Sequence, residues 1–334
     1  MQLLELYSHC MFPRMTSSPA VVTEGLTRRF GDFTAVDSLD LEVATGSVFA
    51  ILGPNGAGKT TTVRMLATLT APTSGRAIVC GHDAVTEAEQ VRRALSLTGQ
   101  FAALEDNLTC RENLVLMARL RGHGKKDAKA ITDRLIDRFD IGEFADKLVK
   151  SVSGGQRRRT DLAASLVVQP ELLVLDEPTT GLDPRSRMEV WSSVRELVSE
   201  GVTVLLTTQY LEEADELADQ VVLIDHGKAV ASGTPFQLKA QIGEQRVDVV
   251  TSDVEAFDTL VAALSGRFAL TTNRERRTLS VPAPDETADL AAVAKAVHAT
   301  GISVDELALR RPTLDDAFLA LTGSPASAAT EESA

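Results

Sequence analysis

Basic residues are in deficit: 34 Lys and Arg stand against 47 Asp and Glu, a net charge of −13. That argues against non-specific nucleic-acid binding, which needs basic surfaces to neutralise phosphates, though a local basic patch stays compatible with it. Cysteine is scarce. Cys10, Cys80 and Cys110 are odd in number and far apart, so neither a disulfide framework nor a zinc site is expected, only reduced and mostly buried thiols. The five histidines form no ligand pair at helical spacing. Long apolar runs are missing too: LAASLVV and LLVL stop far short of the ~20 residues that span a bilayer. No segment is expected to cross a membrane unaided. The opening MQLLELYSHCMFPRM lacks a basic region followed by a sustained apolar stretch, so no secretory signal is expected. Met15 precedes the polar TSSP, and residues 1–14 are expected to be a dispensable extension or a misassigned start within a flexible segment 1–20. No repeat of solenoid period is visible.

What the chain does contain is alternation. SVFAILG is followed by KTTTVRMLATL, ELLVLDE by RMEVWSSVRELVSE, and VTVLLTT by LEEADELADQ. Short β-rich runs alternating with amphipathic helices predict an α/β fold, its mainly parallel sheet covered on both faces. Between 104 and 170 the pattern turns helical (ENLVLMARLRG, AITDRLIDRFD, QRRRTDLAASLVV), which predicts an inserted helical subdomain within a large domain at 21–238. After it RVDVVTS, RFALTTN and RRTLSVPA alternate apolar and polar around two helix-like segments, predicting a small α+β domain at 239–323. SPASAATEESA is too poor in large apolar residues to fold, so 324–334 is expected to be a disordered tail.

GPNGAGKT, Gly53 to Thr60, matches G-x-x-x-x-G-K-[ST] between a strand and a helix. Glycines let the backbone curl so that successive N–H groups face phosphate oxygens, and the helix N-terminus adds partial positive charge. Gly53, Pro54, Asn55, Gly56, Ala57, Gly58, Lys59, Thr60 and Thr61 are therefore the expected nucleotide cradle. Lys59 supplies a cation for the β- and γ-phosphates, and Thr60 a hydroxyl for Mg²⁺. LLVLDE, 172–177, is an apolar strand ending in two carboxylates. Beside a phosphate loop Asp176 can hold Mg²⁺, while Glu177, turned elsewhere by the pleat, is the expected base that polarises water. Ser153, Gly154, Gly155 and Gln156 open another helix with accessible N–H groups, a second potential anion site.

In this order GPNGAGKT, SGGQ, LLVLDEP and GLD at 181–183 resemble the ATP-binding-cassette (ABC) ATPases over about residues 21–235. The resemblance implies a P-loop ABC-type nucleotide-binding domain. It also implies two ATP molecules clamped between two copies arranged head to tail, with Ser153, Gly154, Gly155 and Gln156 reaching the partner's γ-phosphate. Asp183 falls at the seam. Gln100 sits where the family has its Q-loop glutamine, a magnesium ligand beside Thr60 and Asp176, and Phe30 where its adenine-stacking aromatic lies. A histidine is usual at the position of Gln209; an amide can donate to a phosphate oxygen but carries neither proton nor charge, so hydrolysis is expected to be modest and to lean on Glu177. Val152 stands where Leu or Tyr is usual and leaves the serine and glycines intact. TTQYLEEAD, TTGLDPRSR, RRRTDLA and RRPTLDDAFLALTG narrow the resemblance to the daunorubicin/doxorubicin-resistance type of exporter ATPase.

That resemblance implies an ATPase coupled to transmembrane transport. It would act as a homodimer with ATP and Mg²⁺, on the cytoplasmic face of the membrane beside a separate permease, exporting a hydrophobic drug, antibiotic or lipid. A docking surface is expected after Gln100, at Phe101 and Leu104. The alternative, a soluble ABC-type ATPase acting on ribosomes or nucleic acid, fits less well with one cassette, a short helical insertion and an acidic chain; a small-molecule P-loop kinase has no use for SGGQ. Arg157, Arg158 and Arg159 read as a solvated helix face, and Asp225-His226-Gly227 as a hairpin turn.

Overall fold

A computed structural model describes residues 18–99, 104–241 and 245–322. Residues 1–17, Gln100, Phe101 and the tail 324–334 lie outside the described residues. Contacts divide the chain into two units, Met1–Ser232 and Gly233–Ala334.

The first unit opens with β1 (Val21–Phe30) and β2 (Phe33–Val43), a hairpin with a β-bulged register. β3 (Val48–Leu52) is buried along its whole length, as a central parallel strand must be, and runs into α1 (Lys59–Leu66). β4 (Ser74–Val79), the short β5 (His82–Asp83), α2 (Ala88–Ala94) and β6 (Leu95–Thr98) follow. The helical stretch holds α3 (Cys110–Leu120), capped by a reciprocal Thr109–Glu112 box, α4 (Lys125–Arg138) and α5 (Gly154–Ser165). Then come β7 (Leu172–Asp176), α6 (Pro184–Ser199), β8 (Thr203–Thr208), α7 (Leu211–Leu217), β9 (Gln220–Asp225) and β10 (Lys228–Gly233).

Six strands form the sheet β10-β9-β3-β8-β7-β6. Its pairs from β6 through β7, β8 and β3 to β9 are parallel, as the alternating pattern predicts. The turn to β10 has His226 and Gly227 both at positive φ, the geometry of a tight hairpin. The sequence reading did not anticipate a second, antiparallel sheet, β2-β1-β4-β5. α1 touches both sheets, and one apolar cluster joins Val21, Leu39, Phe49, Met65, Leu66, Val79 and Leu205. The phosphate loop is thereby fixed at its rear.

The second unit begins with α8 (Pro235–Ala240). Next come β11 (Arg246–Thr251), α9 (Val254–Leu264), β12 (Thr271–Asn273), β13 (Thr278–Pro282), α10 (Glu286–Thr300), β14 (Val304–Arg310) and α11 (Leu314–Thr322). The sheet order is β12-β13-β11-β14 with every pair antiparallel, a split β-α-β arrangement. Alternate residues Val247, Val249, Leu279 and Val281 meet Phe257, Leu260, Leu264 and Val293 in its core. α8 packs on α11, both within the second unit. No described helix is long and apolar enough to cross a membrane.

Candidate functional site

The phosphate loop leaves β3 through positions that only glycine fits. A Cβ on Gly53 would lie 2.1 Å from the Ile224 carbonyl oxygen, and one on Gly58, at φ +106°, would lie 2.4 Å from that of Ala35. Gly58 caps α1 without a side-chain hydrogen bond, so the first-turn N–H groups remain available to an anion. A cavity of about 460 Å³ opens here, lined by Phe33, Ala35, Asn55, Gly56, Gly58, Lys59, Thr60, Thr61 and Glu177.

Lys59 is 4% exposed. Its Nζ donates to the carbonyls of Gly53 (2.8 Å) and Pro54 (3.0 Å) and lies 3.5 Å from Glu177 Oε1. Burial lowers its pKa, opposed by the charges of Glu177 and Asp176. Thr60 Oγ1 donates to Asp176 Oδ1 at 3.3 Å, and Thr207 Oγ1 donates to the same oxygen. Parallel register puts Thr207 opposite Asp176. Glu177 sits at φ 50°, a left-handed conformation costly for a non-glycine residue. It is held there by its N–H donating to the Thr207 carbonyl (3.0 Å) and by Thr180 Oγ1 donating to its Oε2 (3.2 Å).

A hydroxyl and a carboxylate converging at the mouth of a phosphate cradle fit Mg²⁺, which takes one or two protein oxygens and completes its shell with phosphates and water. Thr60 and Asp176 supply that donor set.

Other expected residues lie outside this cavity. Phe30 does not line it; its ring packs under the Arg28 guanidinium at 4.5 Å, and the aromatic at the cavity wall is Phe33, across the hairpin. Gln209 follows the end of β8, half-buried. Ser153 caps α5 in a reciprocal box with Gln156 (3.0 and 3.2 Å) and, like Gly154, is exposed. Gly155 is buried, and a Cβ on it would lie 2.4 Å from Ser186 Oγ. Asp183 caps α6, accepting from Ser186 N (3.0 Å) and Ser186 Oγ (2.7 Å); these bonds lower its pKa. The Ser153–Gln156 helix tip, through buried Gly155, and Asp183 thus both meet Ser186.

Two sequence expectations are corrected. Arg158 is 8% exposed rather than solvated: it donates to Gly99 O (2.9 Å) and pairs with Asp161 (3.2 Å). Leu104 is buried, so it offers no docking surface. Sequence reasoning also missed Thr207, Thr180 and Phe33. TTQ, which ends in Gln209, begins with Thr207, but only the strand register shows what Thr207 faces.

Residues 36–180 match the family described as ABC transporter. The chain is 52% identical over 304 residues to the daunorubicin resistance ATP-binding protein DrrA3 of Streptomyces coeruleorubidus, covering 91% of this chain and 96% of that one. It is 44% identical over 319 residues to the doxorubicin resistance ATP-binding protein DrrA of Mycobacterium tuberculosis (93% and 96%). With the Nod factor export ATP-binding protein I of Ralstonia nicotianae the identity is 38% over 313 residues (93% and 96%). Among solved structures, CbiO1 from Clostridium perfringens, part of the ABC transporter complex CbiONQ, superposes with a TM-score of 0.63 at 23% identity, covering 75% of this chain and 97% of that one. That last likeness concerns the fold.

Proposed function

The chain belongs to the ABC transporter ATP-binding proteins, which are ATPases coupled to transport. From that premise we propose that two copies close head to tail around two Mg-ATP and drive efflux of a hydrophobic drug, antibiotic or lipid through a separate permease. The observation that carries this reading is a division within the site. Lys59, Thr60 and Glu177 share one cavity, with Asp176 bonded to Thr60, whereas Ser153 and Gly154 are exposed and outside it. Those donors become useful only to a nucleotide held by another copy.

The cradle binds the triphosphate through backbone N–H groups and Lys59, which gives up the Gly53 and Pro54 carbonyls to reach it. Thr60 and Asp176 would hold Mg²⁺, which would supply charge neutralisation to the phosphates. Glu177, released from Lys59, accepts a proton from the attacking water, and the Gln209 amide donates to a phosphate oxygen or orients that water. Donors from the partner's Ser153–Gln156 tip complete the grip, so hydrolysis reopens the pair. The names of the relatives, daunorubicin and doxorubicin resistance, support a drug as cargo. On the helical side, exposed Leu116 and Leu120 on α3 replace Leu104 as the apolar face offered to the permease.

Glu177→Gln in Mg-ATP is the test. Light scattering is expected to show a dimer while turnover is lost. A chain that stays monomeric in saturating Mg-ATP overturns the clamp, and unchanged turnover overturns Glu177 as base.

A further inference from the structure

β8 is buried along its whole length, and a hydroxyl inside such a strand is destabilising unless its hydrogen bonds are made. Thr207 is fully buried there. On one flank it pairs with Ile51 of β3, whose side chain offers no polar atom, and on the other with Asp176 of β7. A threonine hydroxyl has one proton to give and lone pairs to receive. Both are used on the side of β7: Oγ1 donates to Asp176 Oδ1 and accepts from Glu177 N at 3.2 Å. One buried oxygen therefore touches two consecutive residues that carry different tasks.

Each bond answers a need of the site. Asp176 is itself 5% exposed, and its Oδ1 receives two hydroxyls, those of Thr60 and Thr207. Thr60 is an expected magnesium ligand, so Thr207 is the one of the two that serves the carboxylate alone. Glu177 stands at φ 50°, a conformation that persists only where neighbours over-determine it. Its N–H is shared between the carbonyl of Thr207, at 3.0 Å, and the Thr207 hydroxyl, while Thr180 and Lys59 reach its carboxylate. The backbone of the expected base is thus anchored by one residue through two atoms. A β-branched side chain has few rotamers, so the hydroxyl is fixed before any ligand arrives.

We propose that Thr207 is a positioning residue for the ATPase reaction: its hydroxyl aims the Asp176 carboxylate at the metal and the Glu177 carboxylate at the attacking water, as one unit. The inference rests on the roles of Asp176 and Glu177 proposed above. Stability alone does not account for the hydroxyl. Valine has the same shape and suits a buried strand at least as well. It would leave Glu177 N its bond to the carbonyl and Asp176 its bond to Thr60. What valine cannot do is tie both residues to one point, as the partners of a metal-binding carboxylate must.

The experiment compares the full-length wild type with Thr207→Val and Thr207→Ser. It measures kcat, ATP KM, melting temperature and, by electron paramagnetic resonance, the affinity for Mn²⁺ in the presence of ADP. Thr207→Val is expected to lower kcat by about ten- to a hundredfold at near-constant KM, the scale of a small misplacement of reacting groups. Its Mn²⁺ affinity is expected to fall by about tenfold, and its melting temperature to hold or rise. Thr207→Ser, which keeps the hydroxyl, is expected to stay close to the wild type in both.

An unchanged kcat or an unchanged Mn²⁺ affinity in Thr207→Val overturns the proposal. So does an equal loss in the serine and valine variants, since the hydroxyl would then not be the cause. A kcat that falls only in step with melting temperature overturns it too. Should Thr207→Val not fold, Thr207→Ala, which also lacks the hydroxyl, takes its place in the same comparison. Glu177→Gln separates this inference from the one it rests on. Unchanged turnover there sinks the assignment of the base, and the Mn²⁺ measurement still judges the hold on Asp176. A dead Glu177→Gln beside a fully active Thr207→Val sinks the positioning role alone.

Discussion

Lys59, Arg158, Asp161, Asp176 and Glu213 are all buried in the first unit, beside several threonines; among the described residues of the second, Thr251 is the one buried polar side chain. Both units fold around β-branched and leucine-rich clusters, so the contrast does not arise from a shortage of apolar residues. Charge removed from water is destabilising unless a partner or ligand is close. The first unit accepts that cost beside and behind its phosphate cradle, and among the described residues the second has no comparable interior.

The largest effect expected from testing this contrast is at the buried cation. Lys59→Ala should lower ATP turnover by roughly 10²–10³ or more, the scale for removing a preorganised charge from a reacting phosphoryl group. Melting temperature should hold, because the lysine is already partly desolvated. A steady-state phosphate-release assay beside thermal denaturation checks both, and a large melting loss would mean that the charge serves the fold.

In the second unit the comparison runs the other way. Leu260 is fully buried in α9, and Leu260→Ala should destabilise that unit by about 2–5 kcal/mol. Chemical denaturation should show it in the transition of the second unit, with nucleotide affinity unchanged. Coupled loss of affinity would argue that the two interiors do not act separately.

Smaller changes sharpen the site itself. Phe33→Ala should weaken ATP binding by about 1–3 kcal/mol, the range for one base stacked on an aromatic ring, and Phe30→Ala by much less. Equilibrium titration with a fluorescent nucleotide distinguishes them, and the reverse order would restore Phe30 as the stacking residue. The smallest effect concerns Cys80, half-buried with a thiol pushed up to about 12 by burial and by the charge of Glu171. A raised pKa means less thiolate at any pH below it, so alkylation at pH 8 should be about a thousandfold slower than for an open thiol, as mass spectrometry would show. Fast labelling would mean that the interior near Cys80 opens readily.

Much of the first unit was legible because its signals are local. A glycine-rich turn between strand and helix, and a strand ending in Asp176-Glu177, show themselves within a few residues of sequence. The antiparallel sheet was not, because β1 pairs with β4 across intervening β2, β3 and α1, and no local periodicity encodes that partner. Arg158 was misread for a related reason: three arginines in a row look solvated, yet the carbonyl and carboxylate that make burial tolerable lie at Gly99 and Asp161. Leu104, followed by Glu105 and Asp106, misled in the same sense: it was expected at the surface and is buried. For Phe30 and Phe33, two aromatics flanking one turn carry no sequence mark of which ring meets the cavity.

Gly155 leaves no room for a methyl group against Ser186, and Ser186 in turn holds Asp183. In the proposed head-to-tail pair, a Gly155→Ala subunit spoils its neighbour's catalysis and not its own. Mixed with Lys59→Ala subunits, it should therefore form hybrids in which both lesions fall on one nucleotide and the other site is whole. Two inactive proteins would complement each other, a genetic signature that no single-subunit enzyme can give.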